Sequence, residues 1–350
     1  MQSFLEEVVD YLTKESHSLE DTVFILPSKR AGTFLINALA NNSQKTFFSP
    51  EVYSIEGFVE KISGVSYANN TRQLFELYGV YQKTSKGEVD NFFTFSKWGQ
   101  TLLQDINEID RYLIDAKALF SNLSAIQEVT HWSLEASKTK MVQDYLDFWN
   151  SLEQLYTNFN TELLKKGLGH QGLVYRKACE QLGTYLEANT LKKYVFIGFN
   201  ALNTAESQLI QNILKETNAT IYWDIDASFL NDPIHDAGLF IRAHQKSWPY
   251  LQHHTLKGIS AHYASKKDIQ IIGVPKNISQ AKYVGKLLKE LQLENVEALK
   301  STAVVLADES LLNPILNSIP EEIDTVNITM GYPLNKTPLA DLFAQFIELY

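Results

Sequence analysis

The sequence predicts an α/β protein: a parallel-sheet domain split by a large all-helical insertion and followed by a partial second α/β domain. Three observations carry this. Short apolar runs such as Thr22–Leu26 are continuous rather than alternating, as expected of strands buried on both faces of a parallel sheet. Such runs alternate with helical periodicities over the first 62 residues, and again from about residue 192. Between them, from about 71 to 191, strand signals nearly vanish and apolar residues recur at helical spacing. These shifts set the sheet domain at 1–68 and 192–266, the insertion at 69–191 and the start of the second domain at 267–350.

In chain order, residues 3–14 form an amphipathic helix pattern and 22–26 a strand stopped by Pro27. Residues 31–40 are helical, 46–49 a short strand, and 55–62 a helix with Ser54 as N-cap. In the insertion, Leu74, Leu77, Tyr78 and Tyr81 share one helical face. Trp98, Leu102, Ile106, Ile109 and Leu113 share a second; Val142, Tyr145, Phe148, Trp149, Leu152 and Tyr156 share a third. The sheet rhythm resumes with a strand at 194–199, a helix at 204–216 and a strand at 219–225. Residues 228–266, rich in His, Pro and Gly, read as irregular apart from a helix near 238–245. Strands are then expected at 268–274, 302–307 and 325–330, separated by helices at 279–291 and 310–317. A last helix begins with Thr337 as cap and Pro338 in its first turn, and no stop signal follows. The chain therefore reads as the front part of a longer protein.

Composition narrows the function classes. Hydrophobic residues make up 45% of the chain and charged residues 21%, enough apolar material for a sizeable core. No apolar run approaches the ~18 residues that span a bilayer, and the acidic N-terminus is wrong for a signal peptide. The single cysteine, Cys179, excludes an internal disulfide and suits a reducing cytoplasm; its helical surroundings suggest a buried structural thiol. The net charge of −10 means that any nucleic-acid contact must come from a local basic patch.

Five motifs carry a family resemblance. Residues 194–208, Tyr194-Val-Phe-Ile-Gly-Phe-Asn-Ala-Leu-Asn-Thr-Ala-Glu-Ser-Gln208, have the layout of the second nucleotide-site motif of UvrD-type helicases. Val23-Phe-Ile-Leu-Pro-Ser28-Lys29-Arg30-Ala-Gly32 resembles the early strand-and-loop motif that touches single-stranded DNA in superfamily-one helicases. The stretch from Phe92 to Asp110 resembles the inserted helical domain of AddB-like proteins. Residues 301–310 and 327–339 resemble the opening of the second motor domain and the segment after it. In order and spacing, the chain resembles the helicase-like part of AddB-type subunits, members of the PD-(D/E)XK nuclease family.

The resemblance implies a RecA-like fold for the sheet domain and a role in double-strand break repair and recombination. It also implies that the ATP site is lost. The motif's acid pair, which would hold Mg²⁺ and orient the attacking water, is replaced by Ile197 and Gly198. No G-x-x-x-x-G-K-[ST] string is present either. No catalysis is then expected from residues 1–350, and an exonuclease domain would lie beyond Tyr350. The implied partners are single-stranded or end-containing DNA and a helicase subunit, without a membrane, and no cofactor is expected. Ser28, Lys29 and Arg30 are the candidate nucleic-acid contacts: a hydroxyl, two cations and the amides of a helix N-terminus can meet a backbone phosphate. The alternative is a scaffold that binds a partner motor without touching DNA, which the acidic balance favours.

Other signals are weaker. Asp224-Ile-Asp226 has the spacing of a metal-binding D-x-D at a strand end, but no third acid is placed beside it. Asp115-Ala-Lys117 matches a nuclease fragment yet falls in a helical stretch rather than on a strand. His253, His254 and His262 lack the partners of a closed zinc site, so no metal is expected. Lys282, Lys286 and Lys289 read as a solvated helix face, and Trp98, Trp132, Trp149, Trp223 and Trp248 mostly as core.

Overall fold

The computed structural model describes residues 2–15, 19–42, 48–85, 89–130 and 140–349. They fall into two compact units, 1–265 and 266–350. The first unit is α/β. Its elements begin α1 (Phe4–Glu15), β1 (Thr22–Leu26), α2 (Lys29–Asn42), β2 (Glu51–Ser54), α3 (Ile55–Ser63) and β3 (Ser66–Tyr67). The insertion follows with α4 (Asn70–Thr84), α5 (Phe92–Arg111), α6 (Ala116–Thr130), α7 (Lys140–Lys165), β4 (Leu168–Gly169) and α8 (Gln171–Glu187). The sheet resumes with β5 (Lys193–Ile197), α9 (Thr204–Glu216), β6 (Thr220–Asp226), α10 (Ala227–Asn231), α11 (Leu239–Ser247), α12 (Pro249–His253) and β7 (Lys257–Ser260).

The five long-range strands form one parallel sheet in the order β2-β1-β5-β6-β7. Strand side chains alternate between faces, so each apolar run feeds two cores. Val23, Ile25, Tyr194, Phe196, Ile221 and Trp223 meet α3, α8 and α9 on one face. Phe24, Leu26, Val195, Ile197 and Tyr222 meet Val8, Leu12 and Leu35 of α1 and α2 on the other. The insertion has its own core, from Leu77 and Phe95 to Phe159 and Leu163. Helix α8 belongs to both: Leu173 packs in the insertion, while Val174, Tyr175, Ala178 and Leu182 pack against the sheet.

Several expectations need correction. The strand expected at 46–49 starts outside the described residues, and pairing begins only at Glu51, after Pro50, in register with Val23. Residues 228–266, expected to be largely irregular, contain α10, α12 and β7 as well as the helix α11. Strand β7 escapes a pattern search because it is only four residues long, holds Gly258 and pairs through a bulge. Trp132, Val142 and Tyr145 fall outside the described side chains.

The second unit departs further. Its helices form: α13 (Asn277–Glu294), α14 (Val296–Leu299), α15 (Leu312–Leu316) and α16 (Pro338–Glu348). The expected strands at 268–274, 302–307 and 325–330 do not, and the described residues of this unit contain no ladder. Instead of a partial second α/β domain, the unit is helices joined by extended segments. The physical reason is visible in the exposure: Ile271 is 94% and Val305 87% exposed. A parallel strand needs a hydrogen-bonded neighbour and cover on its faces, and among the described residues these segments have neither. Among the described residues of the whole chain, no helix is long and apolar enough to cross a membrane.

Candidate nucleic-acid interface

In open parallel sheets, ligands meet the carboxyl ends of the strands where the winding direction reverses. Here the chain runs from β1 through α2 to β2 on one side, and continues from β5 through α9 to β6 on the other. The reversal lies between β1 and β5, with α2 and α9 on opposite faces. The candidate residues flank it.

Strand β1 is buried up to Leu26, and Pro27, Ser28, Lys29 and Arg30 are exposed. The Ser28 hydroxyl accepts the amide of Ala31 at 3.2 Å and its carbonyl accepts the amide of Gly32 at 3.3 Å, so Ser28 caps α2. Gly32 lets the helix sit close to the sheet, since a Cβ there would lie 3.2 Å from Val52. The first turn of α2 contains no acid and instead carries Lys29 and Arg30. A helix N-terminus is the positive end of its dipole, where cations cost stability and anions gain it.

Across the reversal, Ile197 is fully buried among apolar neighbours from α1, β1 and α2. Gly198 follows with φ at 75° and donates its amide to the Tyr222 carbonyl at 2.9 Å. Neither residue offers an oxygen or nitrogen side-chain ligand. The N-terminus of α1 is closed by its own residues: the Ser3 amide donates to the Glu6 carboxylate at 2.7 Å.

The other acids and histidines have structural tasks. Asp226 accepts the Tyr263 amide at 2.8 Å, the Ser228 amide at 2.9 Å and the Ser260 hydroxyl at 3.3 Å. These bonds, the Tyr263 amide foremost, hold its carboxyl at about 2. Asp224 is exposed; partial desolvation and the charge of Glu7 push its carboxyl upward. Asp115 caps α6 by accepting the Ala118 amide at 3.1 Å. His254 stacks on Tyr250 and His262 lies 3.1 Å from Glu7. Among the described residues, no group of three or more His, Cys, Asp or Glu is arranged to hold a metal ion. Lys286 and Lys289 reach Glu290 and Glu322 at 3.6 Å on an exposed face of α13. Burial pushes the Cys179 thiol up to about 12, so it stays protonated and unreactive.

One polar centre was not legible in the sequence. Asp110, fully buried on α5, accepts from Tyr156 (2.5 Å) and Asn160 (2.9 Å) of α7 and from Arg176 Nε (2.5 Å) of α8. His170, the N-cap of α8, completes it with Nε2 at 3.2 Å. Its Nδ1 accepts the Leu173 amide at 3.2 Å, which assigns the proton to Nε2. These residues lie far apart along the chain and follow no period; the signal available was only an acid at an apolar helical face.

No protein-family model matches this chain, and no curated protein matches it.

Proposed function

We propose that the chain is a non-catalytic DNA-binding module in which a RecA-like sheet domain presents a phosphate contact at Ser28, Lys29 and Arg30. One observation carries this reading: two exposed cations occupy the positive end of α2, at the strand-end reversal where parallel sheets take their ligands. A phosphate bound there would meet both the helix N-terminus and the two cations. The loss of ligating side chains at Ile197 and Gly198 supports a binding role rather than ATP hydrolysis. The AddB-like resemblance adds the setting, a helicase–nuclease assembly that processes DNA breaks.

A second reading is a scaffold for a partner subunit. The observation in its favour is the apolar face of α16, where Leu339, Leu342, Phe343 and Ile347 are all exposed.

Fluorescence anisotropy with labelled single-stranded and duplex DNA, at low and moderate salt, separates the two. The DNA reading expects salt-sensitive binding that Lys29→Ala/Arg30→Ala greatly weakens. On single strands, losing two phosphate contacts should flatten the log–log salt slope by about 1.4. Absence of binding by the folded protein at low salt overturns it in favour of the scaffold.

A further inference from the structure

We propose that Asp110 is a proton-operated latch: ionised, it holds the helical layer α4–α7 onto α8, and protonated, it lets that layer open as a unit while α8 stays on the sheet.

The geometry around the two oxygens is one-sided. Tyr156, Asn160, Arg176 and His170 all present donors to them. A neutral carboxylic acid has to donate its own proton, and Asn160 and Arg176 present only N–H groups to it. The Tyr156 hydroxyl can reverse its role, as can His170 by passing its proton to Nδ1, which faces Asn107 Oδ1 at 3.3 Å, but in either case Arg176 Nε still faces a neutral acid. The Arg176 side chain is 23% exposed, so it would lose its counter-charge in a poorly solvated place.

The latch joins separate elements. Asp110 belongs to α5, Tyr156 and Asn160 to α7, Arg176 to α8 and His170 to its cap. Asn107 of α5 adds a second tie by accepting the Gly172 amide at 2.7 Å. Arg176 also donates to the carbonyls of Ile109 (3.0 Å) and Ile114 (2.8 Å), clamping the turn that ends α5. Leu113 in that turn has φ at 54°, a left-handed conformation that a leucine adopts at a cost. Strain is therefore stored one turn from the carboxylate, and opening releases it. Since α8 packs along Val174, Tyr175, Ala178 and Leu182 against the sheet core, it remains seated when α5 and α7 leave.

Burial raises the Asp110 carboxyl, but the hydrogen bonds from His170 and Tyr156 and the charge of the Arg176 guanidinium outweigh it and hold the group below its usual range. A group so depressed contributes stability that is complete above the ordinary carboxylate value, ~4, and is lost as pH falls below it. The neighbouring charged groups are Glu108 and Arg111, paired on α5, and Asp115, Lys117 and Glu153 around the cleft lined by Tyr156 and Arg176. Asp115, which caps α6, and Glu153 are also carboxylates, so the test must isolate Asp110.

Hydrogen exchange of the whole protein, corrected for intrinsic rates, provides that test. At pH 7, Asp110→Asn should speed exchange in α5 and α7 at least 10-fold and leave β1 and β5 within 2-fold. Lowering the wild type from pH 7 to pH 3 should speed exchange in the same helices by up to about 7-fold, the limit for one carboxyl whose ordinary value is 3.8, and Asp110→Asn should remove that pH dependence. Asp115→Asn should behave as wild type. Loss of protection in the strands together with the helices, or unchanged α5 and α7, overturns the latch. If Asp110→Asn fails to fold, the wild-type titration and the milder Tyr156→Phe, which removes one donor, decide by the same pattern.

Discussion

The runs Thr22–Leu26 and 302–307 have nearly the same character, Thr-Val-Phe-Ile-Leu against Thr-Ala-Val-Val-Leu-Ala, and meet opposite fates. The first is β1, hydrogen-bonded to β2 and β5, with Phe24 and Ile25 fully buried. The second forms no ladder and leaves Val305 mostly exposed. A continuous apolar run states a requirement for neighbours; it does not supply them. The first unit meets the requirement within 1–265 through pairings as distant as Thr22 with Lys193, 171 residues apart, and the described residues of 266–350 show none.

The largest test of this contrast is truncation of one apolar residue in each unit, a buried one in the first and an exposed one in the second. Phe196→Ala on β5 should cost about 3–5 kcal/mol in urea denaturation, since it empties a sealed site. Val305→Ala should stay within about 0.5 kcal/mol. Equal losses would break the comparison. Next, Asp110→Ala should cost about 3 kcal/mol, because Arg176 loses a buried partner. A loss under about 1 kcal/mol would show that the insertion is held by its apolar core alone. Helix caps sharpen the contrast at smaller scale. Ser54→Ala and Asn203→Ala, on α3 and α9 of the first unit, should each cost about 1 kcal/mol in thermal unfolding. Thr337→Ala caps an exposed helix and should cost a few tenths or less. The smallest effect concerns Glu51, where β2 starts. Its carboxyl pairs with Lys192 and Lys61; burial raises it, but these lysines and Tyr53 bring it to about 2. Because that value is depressed, the pair contributes above the ordinary carboxylate range and is lost as pH falls toward 2. Glu51→Gln should flatten that part of the stability profile by less than about 1 kcal/mol, since solvent screens it.

Legibility followed the range of the forces involved. Helix α3 with its Ser54 cap, strand β5, helix α9 and strand β6 were readable because local periodicity and capping chemistry specify them. The turn bearing Ser28, Lys29 and Arg30 was readable for the same reason, a strand ended by proline before a helix. Strands β3 and β4, two residues each and 100 apart, exist only through each other and leave no local trace. The Asp110 centre is the extreme case: its partners come from two other helices and the cap of one of them, and each alone looks like an ordinary polar residue. The unpaired runs of the second unit show the converse error, in which strong local preference outran the neighbours needed to satisfy it.

The end of β5 is closed to carboxylates by its own packing. Ile197 is sealed among Val8, Leu12, Leu26 and Leu35, and Gly198 holds a backbone shape that side chains with a Cβ resist. An aspartate at 197 would bury an unpaired carboxyl in an apolar pocket, and a glutamate at 198 would strain the turn. An acid pair therefore cannot be introduced here by two substitutions alone; the surroundings of both positions would have to be rebuilt with them.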